Sequence, residues 1–223
     1  MVDFVEAIKK PFSDLKTLGI GAVIGAIPIV NLLVSGYGAK TAEDVMSKKN
    51  KLRAWKVDDA MEYVTKFVMM LVIQIAYMIV PLIIIAIGVG SALLTALPVI
   101  MSNPSDMTTI MNSLLPSLVI GGPIIIIGLI LLLVAAFLLP MATMKWIKKG
   151  KLGAAFAVGS VVKNALTLDY VVALIVVFVY AIVLTMVASL VSWIPILGWI
   201  IMGGVAFALT TTQYTILAQV VKD

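Results

Sequence analysis

Side chains able to do chemistry are few in this chain, and of few kinds. The nearest approach to a carboxylate pair is Asp58-Asp59, with Glu62 one turn later. Oxygen ligands of this kind could hold a divalent cation. Acids at the start of an amphipathic stretch also complement a helix macrodipole, which is the simpler assignment. The sequence contains neither cysteine nor histidine. That removes the thiolate nucleophile, sulfur-ligated metals, the commonest general base and the commonest metal ligand. No nucleophile stands beside a base, and no Gly-rich loop ends in Lys-Ser/Thr. The expectation is therefore no catalytic residues, no metal site, no cofactor and a non-enzymatic role, with a membrane enzyme ranking last.

Polar side chains inside apolar stretches are the next candidates: Asn31, Ser35, Gln74, Thr211, Thr212 and Gln213, flanked by Thr210 and Tyr214. Such residues mark solute paths or bond packed helices together. With no Asp, Glu, Lys or Arg central to a stretch, proton-coupled and voltage-sensing mechanisms are disfavoured. A facilitative path for a neutral or amphiphilic solute or lipid, near Asn31, Gln74 and Gln213, stays open as the alternative function. Lys145, Lys148, Lys149 and Lys151 form a basic cluster after one apolar stretch, where each lysine near anionic headgroups is worth about 1 kcal/mol. The same lysines also serve to orient the chain.

The elements that must position these residues are membrane helices. Hydrophobic residues make up 62% of the 223 positions and charged residues 12%, a balance no water-soluble core can absorb. Charges are absent from Thr17 to Ala39, Phe67 to Ser105, Met107 to Met144 and Tyr170 to Val221. A span takes roughly 20 apolar residues, so each stretch suffices for one crossing and the last for two. The net charge of +5 is spread beside these stretches and not gathered in one stripe, which argues against a nucleic-acid partner. Membrane lipids, a membrane protein or a second copy are the expected partners.

Lys40 to Lys66 carries seven basic residues and Lys145 to Asp169 five, whereas Leu97 to Ser117 carries none. The first two segments are assigned to the cytoplasm and the third to the outside. Ile27-Pro28-Ile29 interrupts the apolar run from Leu18 to Gly38, which is either one kinked span or a hairpin turning at Ala26-Ile27-Pro28, with Pro28 starting the second arm. The hairpin keeps the lysine-bearing N-terminus in the cytoplasm with the C-terminus and is preferred. Its acids and Pro28 distinguish this opening from a cleaved signal, so it is expected to be retained. The same tripeptide recurs as Ile194-Pro195-Ile196, between Tyr170 to Trp193 and Pro195 to Val221.

A second echo lies 100 positions apart, Lys48-Lys49-Asn50-Lys51-Leu52-Arg53-Ala54 against Lys148-Lys149-Gly150-Lys151-Leu152-Gly153-Ala154. It points to internal repeats over 18–97 and 118–191, with a C-terminal helix over 195–221, in a single domain of 1–223. Short amphipathic interfacial helices are predicted at three places. One carries Val57, Ala60, Met61, Val64 and Phe67 on one face; another sets Ala155, Val158, Val162 and Ala165 against Ser160, Lys163, Asn164 and Thr167. The third follows a turn at Asn103-Pro104-Ser105-Asp106, with Met107, Ile110, Met111, Leu114 and Leu115 in helical spacing. Small residues at Gly21, Gly25, Gly36, Gly38, Gly88, Gly90, Gly203 and Gly204 are expected to let helices approach. Pro81, Pro123 and Pro140 are expected kink points. Trp55, Trp146, Trp193, Trp199, Tyr37 and Tyr170 are assigned to interfacial belts. The fold class is all-α, a polytopic helical membrane bundle of about six segments, the first two a Pro28-centred hairpin.

The opening, Lys10-Pro11-Phe12-Ser13-Asp14-Leu15-Lys16 running into Ile27-Pro28-Ile29-Val30-Asn31-Leu32-Leu33-Val34-Ser35-Gly36-Tyr37, resembles an archaeal-type multi-pass membrane family of unknown function. That family is distantly similar to the membrane domains attached to some glycerophosphodiester phosphodiesterases. The acidic linker with Trp55, Asp58 and Asp59 fits the likeness too. The resemblance implies about six helices in a cell membrane and no established activity, and it carries over no catalytic residue. The leading expectation is a non-catalytic module that organises lipid or a partner protein.

Overall fold

The structure, a computed structural model, describes residues 2–49, 51–102 and 107–222. They form eight α-helices, three single 3-10 turns and no strand among the described residues. Helix α1, Phe4–Lys9, begins where the Asp3 carboxylate accepts the Glu6 N–H at 2.8 Å. A 3-10 turn at Lys10–Phe12 then leads to Asp14, whose carboxylate accepts the N–H groups of Lys16 and Thr17 and the Thr17 hydroxyl. Those bonds satisfy the first orphan donors of α2, Leu15–Ala26.

Helix α2 stops because Pro28 disfavours a helical conformation at the residue before it; Ile27 is extended at φ −90°, ψ 118°. The chain turns and re-enters as α3, Leu32–Met46. The hairpin expected around Pro28 is thus present, with two differences. Pro28 lies in the turn instead of starting the second arm, and that arm runs well past Gly38 into the charged residues. Ile29, just after Pro28, has φ 70°. Ile196, just after Pro195, has φ 64°. The recurring Ile-Pro-Ile is therefore a recurring backbone geometry, in which proline sets one turn residue and the next is left-handed. A β-branched residue seldom occupies that region.

Helices α4, Ala60–Ser102, and α5, Met107–Lys149, are each 43 residues long. After the 3-10 turn at Leu152–Ala154 come α6, Val158–Ala165, then α7, Leu168–Ser189, and α8, Leu197–Val220. Segments within α4, α5, α7 and α8 are long and apolar enough to cross a membrane. Two of the three predicted interfacial helices are not separate elements. The Val57 to Phe67 stripe is a 3-10 turn at Val57–Asp59 continued by the first turns of α4, and the Met107 stripe opens α5. Nothing in either stretch breaks the helix, and each added residue gains a bond at little cost once a helix is nucleated. The Asn103–Asp106 turn lies outside the described residues. Only α6 is a short helix of its own.

Two compact units divide the chain, one of Met1–Ile73 with Pro140–Asp223 and one of Gln74–Leu139. In the first, α8 is the hub, packed by α2, α3, α7 and α1. Helix α2 runs antiparallel to it: Gly21 faces Phe207, and a Cβ at Gly25 would fall 2.6 Å from the Gly203 carbonyl oxygen. Helix α3 runs parallel, with Gly38 against Thr210 and Tyr214, while Gly36 touches the backbone of Tyr63 on α4. In the second unit, Gly88 and Gly121 allow the two helix arms to meet, and Gly128 packs on Ile85 and the Pro81 carbonyl. Gly90 faces open space, so it makes none of the close approaches expected of it.

Gly36→Ala is expected to cost roughly 1–3 kcal/mol, because backbone on the facing helix cannot yield as a side chain would. Gly90→Ala is expected to be neutral. Thermal unfolding of the two variants in detergent checks the contrast; equal losses would contradict it.

Candidate functional site

The residues that could do chemistry converge where α3, its following linker and α4 meet. Arg53, the only arginine in the chain, holds Asp44 of α3 through Nε at 2.8 Å and Nη2 at 2.9 Å. It also reaches Asp59 at 3.4 Å. This two-pronged grip suits the planar guanidinium, which a lysine could not reproduce. The Asp44 hydrogen bonds hold the Arg53 pKa above its ordinary value, against the cost of burial. The Tyr63 hydroxyl donates to Asp59 at 3.3 Å, and that of Tyr37 to the Arg53 carbonyl at 2.6 Å. One turn along, Lys40 pairs with Glu43 at 3.1 Å and with Glu62, and Lys66 pairs with Glu43.

Aromatic rings close this junction from within. Trp55 stacks on Tyr37 with centroids 4.5 Å apart and meets Tyr63 edge-on at 5.4 Å, while Phe207 of α8 lies 5.2 Å from Tyr37. Tyr37, Tyr63 and Phe207 are wholly buried. The interfacial-belt assignment is corrected here: Tyr37, Tyr170 and Trp146 are core residues, and Trp55 is packed among them. Only Trp193 and Trp199, 77% and 73% exposed, keep a belt-like position. Packing wins because the linker folds back onto the helices instead of lying flat on a surface. Since Asp59 is engaged by Arg53 and Tyr63, the Asp58-Asp59 pair does not present two carboxylates to a common point.

A second cluster ties down the C-terminal end of α8. Lys145, 1% exposed, donates to the Lys222 carbonyl at 2.7 Å, and Lys148 approaches the Val221 carbonyl at 3.5 Å. Asn164 accepts the Lys222 N–H at 3.1 Å and donates to Ser160 at 2.9 Å, so it is buried and not on the outer polar face assigned to it. Of the four lysines proposed for lipid, Lys145 is therefore committed inside the fold, and Lys148, Lys149 and Lys151 are exposed.

Within the first unit the polar intramembrane candidates are spread over the hairpin turn, α3 and α8. Asn31 is exposed in the hairpin turn, and Ser35 is half-buried on α3. Gln74 is exposed at the start of the second unit. On α8, Thr211 and Thr212 are buried, Thr212 donating to the Ala7 carbonyl at 3.3 Å, and Gln213 is half-buried. Hydrogen bonding between packed helices accounts for Thr212.

Both termini and both basic linkers share one end of the first unit. The Asp3 N–H donates to Gln219 Oε1 at 2.7 Å, Lys10 and Lys48 line one cavity with Gln219, and Lys145 and Lys148 reach residues 221–222. Exposed apolar side chains rim that end, including Val57, Met61, Leu166 and Leu168. Lysines interleaved with exposed apolar groups have the character of a membrane-interface surface.

A family model described as a protein of unknown function, DUF4013, matches residues 20–193, from within α2 to the turn before α8. The chain belongs to the DUF4013 family. No curated protein and no solved structure matches it. The DUF4013 match thus covers the hairpin, the Arg53 junction and the two long helices, and stops short of the hub helix that they pack on.

In the sequence Arg53 is marked only as part of the repeated basic motif, and its pairing with Asp44 is not foreseen. The available signal was rarity, one arginine against fifteen lysines, since geometry that only a guanidinium satisfies leaves no freedom to use lysine. A double-mutant cycle over Asp44→Ala and Arg53→Ala, followed by thermal unfolding, is expected to give a coupling of roughly 1–3 kcal/mol. Additive losses would mean that the pair does not hold α3 to the linker.

Proposed function

We propose that this DUF4013 protein is a non-catalytic cell-membrane protein whose lysine-rich end binds anionic lipid headgroups and so organises lipid around it. Supporting this reading is one observation above the rest: Lys148, Lys149 and Lys151 stand exposed at the end of spanning helix α5, and the segment that follows exposes the apolar Val158, Leu166 and Leu168. Ammonium groups above an apolar flank meet phosphates and acyl chains at once. In this reading the lysine-rich end and both termini face the cytoplasm, where basic linkers are retained.

Most charges at the Arg53 junction are spent on one another, which favours an architectural over a catalytic role. For facilitative transport the polar path would need Asn31, Gln74 and Gln213 to line one cavity. The exposed lysines at the end of α5 supply a direct observation for the lipid reading, which is therefore preferred.

Replacing Lys148, Lys149 and Lys151 together by Gln is expected to lower retention of phosphatidylglycerol over phosphatidylcholine by at least about tenfold, given about 1 kcal/mol for each lysine. Quantifying the lipids that co-purify from mixed vesicles measures it. Unchanged retention would sink the lipid reading.

A further inference from the structure

Beside the C-terminal end of α8 lies a cavity of about 320 Å³ lined by Glu6, Lys10, Val45, Lys48, Thr215 and Gln219. Three elements build it: α1 with its following 3-10 turn, the end of α3, and α8. Lys10 is only 5% exposed as a residue, yet its ammonium is not among the sealed polar atoms and belongs to the lining of this open cavity. An ammonium on a mostly buried side chain is less well hydrated than one in open water and gains more from an anion brought to it. Burial accordingly lowers the Lys10 pKa, against the opposing pull of Glu6 and Asp44. Asp44 gives no direct partner, because both its oxygens are taken by Arg53.

The other walls complete a donor set. Lys48 enters from a left-handed backbone position, φ 60°, which a residue with a side chain adopts uncommonly. Gln219 is oriented by the bond its Oε1 accepts from the Asp3 N–H, so its Nε2 keeps two donor hydrogens for the opposite side of the amide. Thr215 spends its hydroxyl proton on the Thr211 carbonyl at 2.7 Å and offers no donor. Two lysines and an amide therefore line the cavity with one carboxylate, Glu6. Charge-assisted donors of this number match a phosphate, and the lone carboxylate matches a hydrogen-bond donor next to that phosphate.

We propose that this cavity binds a phosphate ester carrying a small polar group, with the phosphate oxygens on Lys10, Lys48 and Gln219 Nε2. Glu6 accepts from a hydroxyl or ammonium on the ester's other substituent. The site is distinct from Lys148, Lys149 and Lys151 and does not depend on the lipid reading of that surface. A lipid headgroup and a water-soluble ester share this chemistry, so the test carries one arm for each.

The full chain is placed in phosphatidylcholine nanodiscs and its thermal unfolding followed, either with added sn-glycerol 3-phosphate or with phosphatidylglycerol in the bilayer. A saturable rise in Tm is expected in at least one arm, and the responding arm identifies the source. Lys10→Gln and Gln219→Leu should each weaken the half-saturating concentration at least about tenfold, whereas Lys16→Gln, an exposed lysine outside both this cavity and the α5 lysine surface, should stay within about twofold. Lys10→Met removes the mostly buried charge, so its ligand-free Tm should equal or exceed that of the unmodified protein while the response is lost. The proposal is overturned by the absence of a saturable response in both arms, by a response that Lys10→Gln leaves intact, or by a ligand-free Lys10→Met protein that unfolds earlier.

Discussion

Backbone-to-backbone contact between α2 and α8, at Gly25 and Gly203, is the constraint on which the first unit depends. Helix α2 has 12 residues, about 18 Å at 1.5 Å per residue, against a hydrocarbon core of about 30 Å. It cannot cross alone, and lipid offers no hydrophobic drive to hold it against another helix. Close packing has to do so, and glycines on both sides bring the two helices within reach. The hairpin turn then carries its own polar groups: Asn31 N–H bonds to the Ile27 carbonyl at 3.0 Å, and Leu32 N–H to that of Ile29 at 3.1 Å. Backbone satisfied internally is what an apolar surrounding demands.

Once α2 is seated, α3 follows along α8, and its charged second half is delivered to the start of α4. There the Gly36 contact with Tyr63, the Tyr37-Trp55 stack and the Arg53 grip on Asp44 act on the same few residues. The grip closes the linker between α3 and α4, so the lysines of that linker come out beside the C-terminal end of α8. Lys145 and Asn164 do the same for the second linker by holding residue 222. Function, in this view, is carried by an end surface assembled from segments far apart in sequence, with the packing beneath it fixing which lysines are spent internally and which remain outside.

Much of this was legible in the residues, because charge-free length and a proline inside an apolar run are strong physical signals. The spanning helices, the Pro28 hairpin and the recurrence of Ile-Pro-Ile followed from those. What escaped was everything that depended on which side of a short segment faces protein. Asn164 and Lys145 have the composition of surface residues and are buried by partners at position 222. Tyr37 and Trp55 sit near segment ends, as belt residues do, but a folded-back linker covers them. The stripes at Val57 and Met107 have real amphipathic periodicity, yet periodicity does not say where a helix stops, and both continue into long ones. Lys10 opens the motif that carries the family resemblance, but nothing in the sequence set it apart from Lys9 as a residue to be buried.

The central claim is that both termini and both basic linkers lie on one membrane face with the Ile-Pro-Ile turns away from it. Because the sequence contains no cysteine, single cysteines can be introduced at Asp3, Lys56, Lys151, Ile29 and Ile196 and labelled in intact cells with a membrane-impermeant maleimide. Asp3→Cys, Lys56→Cys and Lys151→Cys should be protected until the membrane is opened, and Ile29→Cys and Ile196→Cys should not share the labelling of these three from the cytoplasmic side. Labelling of Asp3→Cys from the face opposite Lys151→Cys would contradict the shared end and, with it, the hairpin.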